Sequence, residues 1–184
     1  MKDDALWYEA AFVVGVTNAL NVVADGLPAD VLPPPAEPAA GDAAYALLAE
    51  IRTFYGELPA PFLTLAREPG YLGDFWGAVR RAFADHELTR RLKEALAFAV
   101  SLTSRSRFGT GLHLAQMRRL GVGDGGMMEI VGVTQMFSSY TKIADTLQLE
   151  SDMGDIAPVD PTPAPGGSAS VARPSVSVRR RRRR

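Results

Sequence analysis

Leu92-Lys93-Glu94-Ala95-Leu96-Ala97-Phe98-Ala99-Val100-Ser101-Leu102, followed by Thr103-Ser104-Arg105-Ser106-Arg107-Phe108-Gly109-Thr110-Gly111-Leu112-His113, is the stretch on which the reading of this chain turns. Apolar side chains recur at helical spacing through Leu92, Leu96, Ala99 and Val100, and Thr89 stands where a first turn needs a side-chain oxygen as cap. From Ser104 to Gly111 the pattern breaks, and it resumes in a second helix holding Leu112, Ala115 and Leu120 before Gly121 and Gly123 stop it. The chemistry-bearing side chains of this pair are regularly placed. Eleven residues separate Glu94 from Ser106, two separate Ser106 from Gly109, and three separate Gly109 from His113. The last spacing puts positions 109 and 113 on one helix face.

Working outward, helices dominate. Residues 5 to 24 place Leu6, Ala10, Val13, Val14, Thr17, Leu20 and Val23 on one stripe, which Gly26 and Pro28 end. Ala44, Leu47, Leu48, Ile51, Phe54 and Tyr55 mark another helix, terminated by Pro59 and Pro61. After a break at Pro69 and Gly70, Leu72, Phe75, Trp76, Val79 and Phe83 form a third stripe with Arg80 and Arg81 on its solvent side. A final helix from about Met127 to Leu147 carries Ile130, Val131, Thr134, Phe137 and Ile143. No segment alternates like a strand, so the expected fold is all-α, a bundle of about six helices.

Composition narrows the function. The chain has 184 residues and no cysteine, which excludes disulfides, thiolate metal sites and thiol catalysis. Its two histidines, His86 and His113, are too few for a histidine-rich metal cage, and no metal or other cofactor is expected. His86 lies in the polar run Asp85-His86-Glu87 and is expected at the surface. No run approaches the roughly eighteen uninterrupted apolar residues of a membrane span, and the acidic start Asp3-Asp4 is wrong for a signal peptide, so a cytoplasmic protein with no membrane span is expected.

Around the helical body, residues 1–26 form an N-terminal helical segment, 27–41 a proline-rich linker, 42–150 the main domain, and 151–184 a tail rich in Pro, Gly and Ser that is expected to be disordered. Val14-Gly15-Val16-Thr17 recurs as Val131-Gly132-Val133-Thr134; either two apolar helices coincide by chance or the first is the remnant of a duplicated unit. The tail closes on six arginines, beginning at Arg179 and ending at Arg184. Removing their six charges from a net charge of −1 leaves the body at −7. Such a run can contact a polyanion through phosphates, or equally stay solvated or meet the acidic bodies of neighbouring subunits.

Glu94, then the Ser106/Gly109 pair, then His113 resembles the carboxymuconolactone decarboxylase and alkylhydroperoxidase-D (AhpD-like) family, which carries a glutamate, a Cys-x-x-Cys pair and a histidine at these spacings. Pro69-Gly70-Tyr71-Leu72 with Phe75-Trp76, then Val100-Ser101-Leu102, and Glu129-Ile130-Val131-Gly132-Val133 look like further landmarks, so the likeness spans residues 44 to 150. It implies an AhpD-like helical bundle assembled as a homo-oligomer, a trimer or hexamer. It also implies a relay in which a thiolate attacks a hydroperoxide, a second thiol resolves the sulfenic acid, and Glu94 and His113 move protons. Ser106 and Gly109 stand at the two cysteine positions and can perform neither thiol step, so peroxidase chemistry by that route is excluded.

Two enzymatic alternatives remain at this level. Ser106, His113 and Glu94 are the residue types of a hydrolytic triad, with Gly109 and Gly111 as candidate backbone donors to an oxyanion. Alternatively, Glu94 and His113 act as acid–base groups on a small carboxylate or lactone, as in the decarboxylase branch, with Arg105 or Arg107 holding a substrate carboxylate. A non-catalytic reading makes Glu94–His113 a structural pair and the chain a scaffold or binding protein.

Overall fold

The computed structural model describes residues 2–27, 36 and 42–149. Among them are seven helices and no strand: α1 (Lys2–Gly26), α2 (Ala43–Tyr55), α3 (Ala60–Leu65), α4 (Pro69–Phe83), α5 (Arg90–Thr103), α6 (Arg107–Arg119) and α7 (Asp124–Leu147). By its contacts the chain divides into residues 1–148 and 149–184; the helices make up the first unit. The expected linker, apart from Leu27 and Ala36, and the expected tail with its arginines lie outside the described residues.

The all-α expectation is met with one helix more than anticipated. Pro59 and Pro61 do end α2, where Gly56 turns left-handed (φ 84°) and returns its N–H to Arg52 O at 2.8 Å. They also start α3, Pro59 as its N-cap residue and Pro61 in its first turn. Proline costs nothing there, because first-turn N–H groups have no intrahelical acceptor. For the same reason Pro69 opens α4 instead of separating it from what precedes.

The main core joins one face of each of α1 to α4: Val13, Val16 and Leu20 meet Leu48, Ile51, Phe62, Leu72, Trp76 and Val79. Trp76 sits edge-on to Phe54 (5.2 Å) and to Phe62 (6.0 Å). Such pairs add about 0.5–1.5 kcal/mol each beyond their buried area. Arg80, Arg81 and His86 are exposed, as anticipated.

Three expected stripes turn out differently; in α6, Ala115 is exposed and the buried face is Leu112, His113, Gln116 and Met117. Leu92 is 47% exposed; the face that α5 buries is instead Lys93, Glu94, Ala97, Phe98 and Ser101. That face is polar at Lys93, Glu94 and Ser101, and an apolar-only pattern cannot register it. In α7, Met127 is buried, and Ile130 and Val131 pack with it on Phe98 and Met117. Beyond that first stretch Phe137 and Ile143 are exposed, Phe137 by 68%.

α1 between Asp4 and Gly26 is long and apolar enough to cross a membrane by length and composition. In this fold it lies on α5 and α6 with Thr17 and Asn21 buried. Its anchor at the other end is Glu9, which binds the fully buried Lys93 ammonium and accepts the Leu88 N–H at 2.8 Å.

Candidate acid–base site between α1, α5 and α6

The site is built on the α5–α6 hairpin. Thr89 caps α5, accepting Leu92 N–H at 3.4 Å, and Ser106 caps α6, its Oγ accepting Gly109 N–H at 3.0 Å. The link between the helices is tighter than the predicted break: Arg105 takes a left-handed conformation (φ 61°) and Ser106 N–H donates to Ser101 O at 3.0 Å. The antiparallel pairing that results sets Glu94 opposite His113, with Nδ1 2.7 Å from Oε2. Both side chains are essentially inaccessible.

Arg90, one turn before Glu94, closes the other side of the carboxylate, its Nε and a terminal guanidinium nitrogen each 2.7 Å from Oε1. A carboxylate that already accepts from a guanidinium is the natural acceptor for the ring, which makes Nδ1 the donor and Nε2 the nitrogen left for other work. Aromatic rings fill in around these polar atoms. Phe83 stacks on His113 (5.9 Å, 14°), and the Arg90 guanidinium lies 3.8 Å from the centre of Phe54. Burial, reinforced by the Glu94 charge, pushes the Tyr55 phenol far above its ordinary range and keeps it protonated.

α1 supplies the third wall. Asn21 Nδ2 donates to Ser101 Oγ (3.1 Å) and to Ser104 Oγ (3.3 Å). Its carbonyl end lies over Gly109: a Cβ built there would come within 2.1 Å of Asn21 Oδ1 and 2.5 Å of Ser101 Oγ. Real carbon atoms do not approach so closely, so the volume a side chain at 109 would need is already taken by Asn21.

Of the residues anticipated from the sequence, Glu94, Ser106, Gly109 and His113 are all buried; Glu94 meets His113, and Ser106 meets Gly109. Ser106 works as a helix cap, and the Gly109 N–H is consumed by that cap. His113 Nε2 has no hydrogen-bond partner among the described residues, so no bond joins it to Ser106 Oγ. Arg105 and Arg107 are both exposed. Arg105 instead lines a groove of about 650 Å³ between the end of α5 and α7, with Leu102, Val131, Gln135 and Lys142 among its other walls.

Sequence reasoning missed Arg90, Lys93, Thr17 and Asn21 as members of this region. Arg90 was legible as an i, i+4 partner of Glu94. Thr17 and Asn21 were legible only as polar residues on the buried side of an apolar helix, and nothing local says what they face.

No family model and no curated protein matches this chain. Among solved structures, the crystal structure of the alkylhydroperoxidase AhpD core from Rhodospirillum rubrum is similar, with 19% sequence identity over 60% of this chain and 83% of that one and a TM-score of 0.56. The chain therefore shares the fold of the AhpD core.

Proposed function

We propose that this chain is an AhpD-like protein in which the thiol redox pair has been replaced, leaving a cysteine-independent acid–base site at Glu94 and His113 and no thiol peroxidase activity. One observation carries the reading: the position of the second family cysteine is Gly109, and Asn21 occupies the space its side chain would fill. A chain that had merely lost its thiols would leave room at that position. Here the room has been used by a hydrogen-bonded amide. The Arg90–Glu94–His113 series, its carboxylate and ring buried and its Nε2 unengaged, favours proton transfer on a small carboxylate or lactone over the triad alternative, which needs Ser106 on that nitrogen.

The test is dithiol-dependent reduction of an organic hydroperoxide. The natural protein is expected to show no turnover, and turnover that persists in highly purified protein would overturn the reading. The double variant Ser106→Cys, Gly109→Cys is expected to stay inactive, because the side chain introduced at position 109 collides with Asn21. Adding Asn21→Ala and Ser101→Ala clears that volume and is expected to bring turnover up from the background.

We also propose that the chain forms homo-oligomers, trimers or hexamers, through α7. That helix exposes Val133, Met136, Tyr140, Ile143 and Leu147, spaced alternately three and four residues apart, the seam spacing by which one helix packs along another. A second copy offers the complementary seam. Binding of polyanions by the arginine run remains part of the proposal, tested by whether deleting residues 179–184 abolishes retention on nucleic acid at low salt.

A further inference from the structure

The second half of α7 turns its polar side toward the body and its apolar side away. An amphipathic helix ordinarily buries its apolar stripe, and α7 does so only as far as Val131. At about 100° per residue, Thr134, Gln135, Ser138, Thr141 and Lys142 then continue the Val131 side of the helix. Val133, Met136, Tyr140, Ile143 and Leu147 centre on the opposite side. The polar five wall the groove of about 650 Å³ that opens where α5 ends, facing Leu102, Thr103 and Arg105. A wall of hydroxyls, an amide and an ammonium cannot pack as a core face does without losing its hydration, and it suits a ligand that brings polar atoms of its own.

We propose that this groove binds an organic anion, its charged group held by Arg105 and Lys142 and its apolar body laid on the half-buried Leu102 and Val131. The donors decide the sign of the ligand. Thr103 spends its hydroxyl proton on Val100 O (2.9 Å), Thr134 on Ile130 O (2.7 Å) and Thr141 on Phe137 O. Those left to a ligand are the Arg105 guanidinium, the Lys142 ammonium, the Gln135 amide and the Ser138 hydroxyl, two of them positive. Neither Arg105 nor Lys142 has a hydrogen-bond or ion-pair partner among the described residues, and Asp145, the next ionisable residue of α7, pairs with neither. No carboxylate among the described residues lines the groove, although the body as a whole is acidic. Arg105 adds a conformational argument. Its φ of 61° is a geometry that glycine takes freely and that costs a residue with a Cβ. The side chain is exposed and unpaired, so packing does not explain an arginine there, whereas a ligand does. The site goes beyond the acid–base reading, since none of Glu94, Ser106, Gly109 and His113 lines the groove. Contact between copies through the apolar side of α7 would leave it open.

Calorimetric titration of the full chain with octanoate, octanol and inorganic phosphate is the test. Octanoate is expected to bind saturably, one per chain. Octanol, which lacks the charge, and phosphate, which lacks the apolar body, should each bind roughly fivefold more weakly or worse. Arg105→Gly and Lys142→Gln should each weaken octanoate by roughly fivefold or more. Both substitutions are at exposed positions, and glycine suits the turn, so both variants should melt within about 3 °C of the natural protein; if one does not fold, the other decides. Octanoate binding that survives both substitutions comes from another surface, such as the arginines at 179–184 or the apolar side of α7, and overturns the proposal. Octanol or phosphate binding as tightly as octanoate overturns it too, as does the absence of saturable octanoate binding up to about 10 mM. No readout involves peroxide or proton transfer, so failure here leaves the acid–base reading standing, and failure of that reading leaves the groove as it is.

Discussion

At the scale of single residues, the Arg90–Glu94–His113 series is a charge arrangement that the fold must satisfy before it can use it. Glu94 is fully enclosed, and taking a carboxylate out of water costs several kcal/mol unless partners return it. Arg90 and His113 are those partners, one on each oxygen. Glu94→Gln keeps the shape but turns one oxygen into an amide that offers hydrogens to Arg90 or His113, both of which need an acceptor. The expected result is a loss on the order of 3 kcal/mol in urea unfolding, the range seen when one member of a buried pair is removed. A loss under about 0.5 kcal/mol, the size of an ordinary surface change, would mean that the cluster is not coupled to folding. Arg90→Ala should cost less than Glu94→Gln, because Arg90 is partly exposed and part of its contribution is screened by solvent.

At the scale of helices, what could be read from the sequence depended on whether the signal was local. The α5–α6 hairpin and the convergence of Glu94 with His113 were legible, since spacing along two adjacent helices determines them. α3 was not, because proline reads as a stop when only its missing donor is considered and as a start once the unpaired first turn is counted. The buried face of α5 was misplaced for a different reason: Lys93, Glu94 and Ser101 are polar, and their burial depends on α1, some eighty positions away in the chain. The Glu9–Lys93 ion pair shows how that distant helix is held. Burial alone would raise the Glu9 carboxyl, but the bonds from Lys93 and the Leu88 N–H, with the Lys93 charge, together bring it below the ordinary glutamate value of 4.5. A folded pKa lower than the unfolded one means that the pair contributes fully at neutral pH and that its contribution is lost as pH falls through the folded value. Glu9→Gln should therefore be less stable than the natural protein at pH 7. The gap should narrow as pH falls below the ordinary glutamate range and close once the natural carboxyl is itself protonated. A gap that stays constant from pH 7 to pH 3 would show that Glu9 acts through packing rather than charge.

At the scale of the whole molecule, the long final helix is where the proposed contact between copies of the chain is tested. α7 anchors through Met127, Ile130 and Val131, after which its seam of Val133, Met136, Tyr140, Ile143 and Leu147 meets water, with Met128 and Phe137 exposed beside it. An apolar run of that extent on a lone subunit is costly and prone to indiscriminate association, whereas a second copy would cover it by the same interdigitation that packs a coiled coil. Closed symmetry favours this occupant: identical copies arranged about an axis cover the same face on each without requiring a separate protein. In sedimentation equilibrium at about 10 μM, in the range where specific interfaces of standard size associate, the natural chain should run as a trimer or hexamer. Tyr140→Glu with Ile143→Glu places two charges in the seam and should shift it to monomer, while far-ultraviolet circular dichroism shows the helices intact. A natural protein that stays monomeric at ten times that concentration would remove α7 as an interface between copies and leave its apolar face for a partner of another kind.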